Sequence, residues 1–516
     1  MQQAPLSILI LGGGAAGWLT AGVLAAEHGR ASGGACDITL VESPDIPTIG
    51  VGEGTWPSMR ETLRRIGLSE ARLFAQCEAS FKQGSLFTGW HNNGPQDHYY
   101  HPFSLPHGYF EQDLSRFATT DYAQAVTPQA AVCDAQLAPK QLATPDYAGV
   151  LNYAYHFDAT KFGLLLRDHC TRHLGVQHIR ANITSVEGAA SGDISALVSD
   201  AGARFDADLF VDCSGRAGKL IGEFLQVPWV DRSATLFNDR ALAVQIPYRS
   251  SDAPIASVTR ATARANGWIW DIGLPTRRGM GYVYSSQFSD AAQVEADFRN
   301  VLAQSVPAET LDALQFRELA FAPGHRAHMW QSNCVAVGMS AGFIEPLEAS
   351  ALALVEQSAG LIRDLLPANV DEMAISAKRF NRQIVTHWDN ILDFLKLHYV
   401  LSERTDSEYW LAHRDDASIP ESLRENLIQW RHRPPSKQDF PQAQPLFPPA
   451  SYRYVLNGMG FPCDNSRAPR KDGDQARAQQ LLAEVQKQLA SYRQGLPTNR
   501  ALLAQLVARS ASGAPV

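Results

Sequence analysis

Short apolar runs and helical patterns alternate from the start of the chain. Leu6–Leu11 (LSILIL) is apolar and closed by glycines, which predicts a buried strand. Ala15–His28, rich in Ala and Leu, predicts a helix, and residues 37–42 (DITLVE) predict a second strand. Strand, helix and strand in that order form a β-α-β unit, whose crossover requires a parallel sheet. Residues 61–79 read as helical. From about 90 to 149 the chain is rich in Pro, His, Tyr and Gly, which predicts an irregular excursion with short helices. An amphipathic helix is expected over 158–173, then strands at 178–181, 194–199 and 208–212. Between 241 and 288 apolar and polar positions alternate, the mark of an antiparallel sheet. Residues 333–338 predict one more apolar strand, and helical periodicity dominates 350–400. Prolines break 425–450, and 474–493 predict a polar amphipathic helix.

Composition narrows the class. The 516 residues are ample for a large core, and 45% hydrophobic with 19% charged residues excludes disorder, collagen and coiled coil for the bulk. Lys+Arg of 45 against Asp+Glu of 53 leaves −8 without a long basic run, which argues against a nucleic-acid or acidic-membrane partner. Seven scattered cysteines, none in a Cys-x-x-Cys pair, predict neither a disulfide framework nor a zinc site and suit a reducing compartment. No apolar run is long enough to span a membrane, and the apolar start lacks the basic flank of a signal peptide. A cytoplasmic location is expected.

Gly12-Gly13-Gly14-Ala15-Ala16-Gly17 fits G-x-G-x-x-G between the first strand and the first helix. Gly12 permits the tight turn, Gly14 lets the backbone approach a pyrophosphate, and Gly17 allows close helix–strand packing. The helix N-terminus offers free N–H groups and a positive dipole end to phosphates. Glu42 ends the next strand, where a carboxylate can accept from ribose hydroxyls. Residues 207–216 (ADLFVDCSGR) resemble the segment by which two-domain flavoproteins of the hydroxylase type approach FAD. Residues 333–348 (NCVAVGMSAGFIEPLE) look like a strand running into a helix beside the ribityl chain and flavin ring. These elements, in this order, point to FAD. There is no second G-x-G-x-x-G and hence no evident NAD(P)H domain. The expected fold class is α/β, a Rossmann-like FAD-binding flavoprotein with a mixed or antiparallel substrate-side sheet and a helical C-terminal part. We place the FAD-binding module at 1–360, with that sheet inserted at about 90–150 and 225–330, and a helical, substrate-covering subdomain at 361–516.

Further motifs resemble the flavin-dependent tryptophan halogenase family, over residues 6 to about 460. Gly50-Val51-Gly52-Glu53-Gly54-Thr55-Trp56-Pro57 looks like that family's flavin-contacting loop, and Ser80-Phe81-Lys82-Gln83-Gly84 like the segment holding its essential lysine. Gly267-Trp268-Ile269-Trp270-Asp271-Ile272 is similar to its G-W-x-W-x-I-P signature, with Gly273 where the proline stands. Glu345-Pro346-Leu347-Glu348-Ala349-Ser350 is similar to its halide-site and glutamate motif, with Ala349 where some members carry a serine proposed to link lysine and flavin. Arg404-Thr405-Asp406 and Tyr409-Trp410 are similar to a later segment. Gly338-Met339-Ser340 replaces the Gly-Asp of hydroxylases, as in halogenases.

The resemblance implies a chemistry. Reduced FAD and O2 give a C4a-hydroperoxide that oxidises chloride or bromide to hypohalous acid. Lys82 then delivers that acid for electrophilic halogenation, by hydrogen bonding or as a haloamine. Glu348 stabilises the cationic arene and takes its proton. Glu345, preceding Pro-Leu, is the weaker candidate. Ser350 and Ala351, at a helix start, would bind halide through backbone N–H groups. Trp268 and Trp270, two apart on a strand, share a face and would screen flavin from substrate while also packing the core. Gly12, Gly14, Ala15, Ala16, Gly17, Glu42, Glu53, Gly54, Val186 and Met339 are the implied cofactor contacts. No metal is expected, since His101, His107, His156, His325 and His328 lack ligand spacing and read as structural. Cys213 and Cys334 lie in apolar strands and read as inert.

Members that act on free tryptophan hold its polar groups with a tyrosine pair and a glutamate. The comparable stretch, about 431–450, has no Tyr, no Glu and many prolines. Indole or another electron-rich arene is therefore expected as substrate rather than free tryptophan. The missing nicotinamide domain implies a separate NAD(P)H-dependent flavin reductase. A homodimer is the ordinary expectation for a soluble enzyme. The alternatives are a single-component FAD aromatic hydroxylase and a non-catalytic FAD-binding protein.

Overall fold

Leu6–Leu11 sits inside a six-stranded sheet. The strand order is Trp330–Gln331, Cys334–Ala336, Leu209–Asp212, Leu6–Leu11, Cys36–Glu42 and Gln177–Arg180, parallel except at the Trp330–Gln331 edge. Ile8 lies opposite both Ile38 and Leu209, and Ile10 is fully buried. Burial on both faces is why this strand reads as a continuous apolar run. The computed structural model describes residues 6–47, 52–118, 121–442, 444–464 and 474–511.

The chain divides into two compact units. The first holds residues 1–77, 157–232 and 322–388, and the second 78–156, 233–321 and 389–516. In the first, the helix Ala15–His28 packs against the helices Ala159–His173 and Ser350–Asp364. Its small residues make the fit: a Cβ on Gly22 would lie 3.3 Å from Cys170 Sγ. Beyond the sheet, Asp212 organises the turn that follows its strand. Its buried carboxylate accepts from Ser214 N (3.0 Å), Ser214 Oγ (2.6 Å), Leu220 N (2.8 Å) and Ile221 N (2.9 Å). It thereby caps the short π-helix Lys219–Phe224.

The second unit is built on a seven-stranded sheet. Its order is Arg317–Ala320, Arg240–Pro247, Arg277–Tyr284, Gly267–Gly273, Thr259–Arg264, Gly84–Thr88 and His98–Pro102, antiparallel except where Thr259–Arg264 meets Gly84–Thr88. On one face Leu242, Ile269 and Tyr282 pack with Val294, Phe298 and Leu302 of the helix Ala291–Leu302. On the other, Trp268 and Trp270 lie with ring centroids 6.4 Å apart, and Trp90 lies 6.2 Å from Trp268. Trp270 stands opposite Gly281, where a Cβ would come within 2.0 Å of the indole ring. A glycine in this strand is thus a seat for a cross-strand ring.

Several elements differ from the sequence reading. Residues 61–79 are not one helix but two, Ser58–Arg65 and Glu70–Gln76. Gly67, at φ 77°, ends the first, and Ser69 caps the second through Arg72 N. The irregular excursion contains a strand, His98–Pro102, which the aromatic and histidine content concealed. The strand Ile183–Gly188 and the helix Asn499–Ala511 were also absent from the reading, the first because only one of its faces is apolar. Among the described residues no helix is long and apolar enough to cross a membrane.

Replacing Asp212 with Ala leaves two buried helix N–H groups without their acceptor. We expect a loss of about 2–4 kcal/mol in chemical denaturation, with urea midpoint and slope as the check.

Candidate active site

The glycine turn behaves as its spacing requires. Gly12 has φ 120°, donates its N–H to Val41 O at 2.8 Å, and would drive a Cβ to 2.2 Å from Cys213 O. A Cβ on Gly17 would lie 1.9 Å from Gly12 O, so strand and helix meet only because both residues are glycine. Gly14 is different: nothing described lies within 4 Å of a Cβ there. Gly14 is also the N-cap of the helix, with no side-chain cap and no acid in the first turn. The first-turn N–H groups that follow Gly14 lie at the positive end of the dipole and have no side-chain cap. These residues fit the pyrophosphate of a dinucleotide such as FAD.

The neighbouring elements close around that turn. Glu42 lies against Gly13 and pairs with His178 Nε2 at 2.7 Å, which fixes its carboxylate at the strand end. Gly338, at φ 74°, would place a Cβ 2.9 Å from the Ala16 methyl, so the turn bearing half-buried Met339 abuts the helix start. Ser340 Oγ donates to Val337 O at 3.0 Å and also to Asp212 O, tying that turn to the Asp212 strand. Val186 sits in the strand Ile183–Gly188 opposite Leu197, half-buried against the Leu9–Phe210 cluster. Cys213 and Cys334 are buried, and desolvation raises both thiols, in keeping with inert core residues.

In the loop read as flavin-contacting, Gly50 and Val51 lie outside the described residues. Glu53 and Gly54 belong to the short strand Gly52–Gly54, and burial pushes the Glu53 carboxyl up to about 7. Trp56 Nε1 donates to the carbonyl of Glu348 at 2.8 Å. That carbonyl belongs to a strained pair: Glu348 has φ 62°, ψ 8° and Ala349 has φ 55°, ψ 45°, both left-handed without being glycine. Ala349 N bonds Pro346 O at 3.0 Å, and the helix Ser350–Asp364 begins at once. A left-handed residue followed by a right-handed one turns successive N–H groups to one side, so Ser350 and Ala351 present the concave donor pair that an anion requires. Glu348 and Glu345 are both buried. Sequence analysis missed the strain; Pro346, two residues before Glu348, was its one local sign. Further along the same helix, Glu356 accepts from Ser58 Oγ (3.1 Å) and Thr62 Oγ1 (2.6 Å), and its burial pushes the carboxyl up to about 7.

Lys82 lies in the second unit. The strand Ser80–Lys82 pairs antiparallel with Ala154–Asp158, with Ser80 opposite His156 and Lys82 opposite Ala154. Lys82 is 1% exposed, and its ammonium stands 5.4 Å from the Phe103 ring centroid. Around it the chain is pinned: Ser80 Oγ donates to Gly273 O (2.6 Å), Gln83 N to Ser257 O (2.6 Å) and Gln83 Nε2 to Leu137 O (2.8 Å). Gly273, in place of the signature proline, still ends its strand, and Leu274 N donates to Arg277 O at 2.9 Å across the turn. Trp268 and Trp270 share a face of that strand. Arg404 holds Asp406 with two hydrogen bonds and lies 4.7 Å over Trp410, so this later motif is an internal brace of the second unit. Of the residues singled out in sequence, the glycine turn, Glu42, Val186, Met339, the 52–56 loop, Glu348, Ser350 and Ala351 fall in the first unit, and Lys82, Trp268 and Trp270 in the second.

A parallel sheet whose first strand passes through an uncapped glycine turn into a helix defines a dinucleotide-binding α/β protein. Comparison identifies which one. The profile described as tryptophan halogenase matches residues 7–472. The chain is 34% identical over 445 residues to tryptophan 7-halogenase RebH of Lentzea aerocolonigenes, covering 82% of this chain and 81% of that protein. It is also similar to a crystal structure of a tryptophan halogenase from Shewanella frigidimarina, at 46% identity and TM-score 0.95, covering 100% and 99% of the two chains. BrvH, a flavin-dependent halogenase from Brevundimonas sp. BAL3, aligns at 33% identity and TM-score 0.83 over 97% and 99%. The chain belongs to the tryptophan halogenase family and is a flavin-dependent halogenase, which sets aside the hydroxylase and non-catalytic alternatives.

The Glu356 carboxyl carries a pH signature. A folded value of about 7 against an ordinary 4.5 means that the folded state binds the extra proton between those limits, so stability falls as pH rises from about 4.5 through 7. Glu356→Gln should flatten that slope and be more stable than the parent at pH 8 by ~1–3 kcal/mol, as read by denaturation at pH 5 and pH 8.

Proposed function

We propose that this enzyme halogenates indole or another electron-rich arene in preference to free tryptophan. The observation that carries this concerns Asp439, the only acid in residues 431–450. Its side chain is 2% exposed. It is ion-paired with Arg433 and accepts from Trp430 Nε1 (2.9 Å) and Ser436 N (2.9 Å). Its charge is therefore used inside the segment and is not offered to the ammonium of an amino acid. Phe447 of the same segment stacks on Phe394 at 3.7 Å, and Phe440 lies 4.9 Å from Tyr452, so its other contribution is apolar. A flat neutral ring suits such a surface.

Bound reduced FAD, with O2, supplies the oxidising equivalent that converts halide to hypohalous acid. The N–H groups of Ser350 and Ala351 hold the halide, chloride or bromide. Lys82 grips the hypohalous acid through its ammonium and presents the halogen to the arene; its 1% exposure keeps bulk water from competing for the same donors. Glu348 balances the positive charge that develops on the ring and accepts the departing proton. Trp268 and Trp270 act by their bulk, which keeps large molecules from being oxidised directly. Reduced FAD comes from a separate NAD(P)H-dependent flavin reductase, and the enzyme works in the cytoplasm.

With chemically reduced FAD, O2 and bromide, indole should yield a product with the bromine isotope doublet, and free tryptophan should be turned over at least about tenfold less efficiently. Lys82→Ala should lower product formation by at least about 100-fold while FAD binding, followed by flavin fluorescence, stays unchanged. Equal kcat/KM for tryptophan and indole would overturn the substrate proposal.

A further inference from the structure

His156 is a buried imidazole that the proposed chemistry leaves unused. Its side chain is fully buried. Nε2 pairs with Thr259 Oγ1 at 2.8 Å, while Nδ1 is buried with no hydrogen-bond partner. A buried polar atom without a partner costs about 1–3 kcal/mol, so its retention calls for a reason. The strand register supplies one. Lys82 is opposite Ala154 and Ser80 is opposite His156, so Ser80, Lys82, Ala154 and His156 all project to the same face of the strand pair. His156 is the diagonal neighbour of Lys82, within reach of a long side chain. Ser80, opposite His156 on this face, spends its hydroxyl proton on Gly273 O.

We propose that His156 is a positioning residue for Lys82: when Nε2–H donates to Thr259 Oγ1, the bare Nδ1 is a neutral acceptor left open on the shared strand face, toward which the ammonium turns as it takes up hypohalous acid. This rests on the reading of Lys82 as the group that delivers hypohalous acid. Neutrality is the point of using an imidazole here. A carboxylate in that place would cancel the charge on which the lysine depends for gripping hypohalous acid, whereas an uncharged acceptor directs the ammonium and leaves its charge intact. Burial, and then the positive charge of Lys82, hold the imidazole well below its ordinary pKa, so it stays neutral beside the lysine. Thr259 fixes the tautomer by engaging the far nitrogen.

Two near-isosteres separate this role from packing. In His156→Asn the amide oxygen takes the place of Nδ1, and the link to Thr259 is lost. In His156→Gln the amide reaches the place of Nε2 and keeps that link, with nothing at Nδ1. Halogenation kcat should stay within about threefold of wild type in the Asn variant. It should fall about 10–100-fold in the Gln variant with KM for the arene unchanged, the scale of a misplaced reacting group. Hypohalous acid trapped by a soluble 1,3-diketone should rise in the Gln variant, because the oxidant is still made but not held. A purely structural histidine predicts the reverse order, with Gln tolerated and Asn impaired. Equal losses in both variants, or an unchanged Gln variant, would also overturn the proposal. If either variant fails to melt cooperatively, Thr259→Val stands in: releasing the tautomer should lower kcat about 2–10-fold, and an unchanged kcat there overturns the proposal. Lys82→Ala runs alongside. Full activity in that variant refutes the reading of Lys82 itself, whereas its loss together with an unaffected His156→Gln refutes only the role of His156.

Discussion

An ammonium taken almost wholly out of water is the constraint around which the second unit is arranged. Desolvating such a charge costs several kcal/mol, and no fold retains one without a use and a supporting shell. The shell is visible in how firmly the short strand bearing Lys82 is held. Its neighbours on either side hydrogen-bond to Gly273, Ser257 and Leu137, which come from three different stretches of chain. On the face it shares with His156, Phe103 offers the ammonium a π-surface.

The first unit solves a different problem, the creation of donors with nothing to donate to. Both of its proposed anion sites come from backbone in uncommon conformations. At the glycine turn this is inexpensive, since Gly12 tolerates φ 120°. At Glu348 and Ala349 it is not, because each left-handed non-glycine residue costs of the order of 1 kcal/mol. The hydrogen bond from Trp56 to the Glu348 carbonyl and the two from Ser58 and Thr62 to Glu356 are what hold this strain in place. They join residues 56–62 to the turn and helix at whose start we propose that halide binds.

Much of this was legible in the sequence, and the reasons differ by element. Leu6–Leu11 and Ala15–His28 appear with the ends their patterns give, because glycine spacing and two-sided burial leave little choice. The antiparallel strands of 241–288 follow from alternation, and the shared face of Trp268 and Trp270 follows from their separation of two. The break at Gly67 was legible in principle, since a glycine followed two residues later by a serine is a stop and a start. His156 could not be found that way. It is 74 residues from Lys82, and only the register of two short strands brings them to one face. Likewise the burial of Asp439 beneath Arg433 is a matter of local geometry that composition does not reveal.

The seat of Trp270 on Gly281 has an evolutionary side. A methyl at 281 has no room while the indole is present, and a small residue at 270 would leave a void over a bare backbone. Neither position can drift alone. Descendants of this sequence that exchange the tryptophan should change the glycine in the same lineage, so the two sites form a covarying unit that links the signature strand to its neighbour, and a transplant of one without the other into a related scaffold would carry only half of a lock.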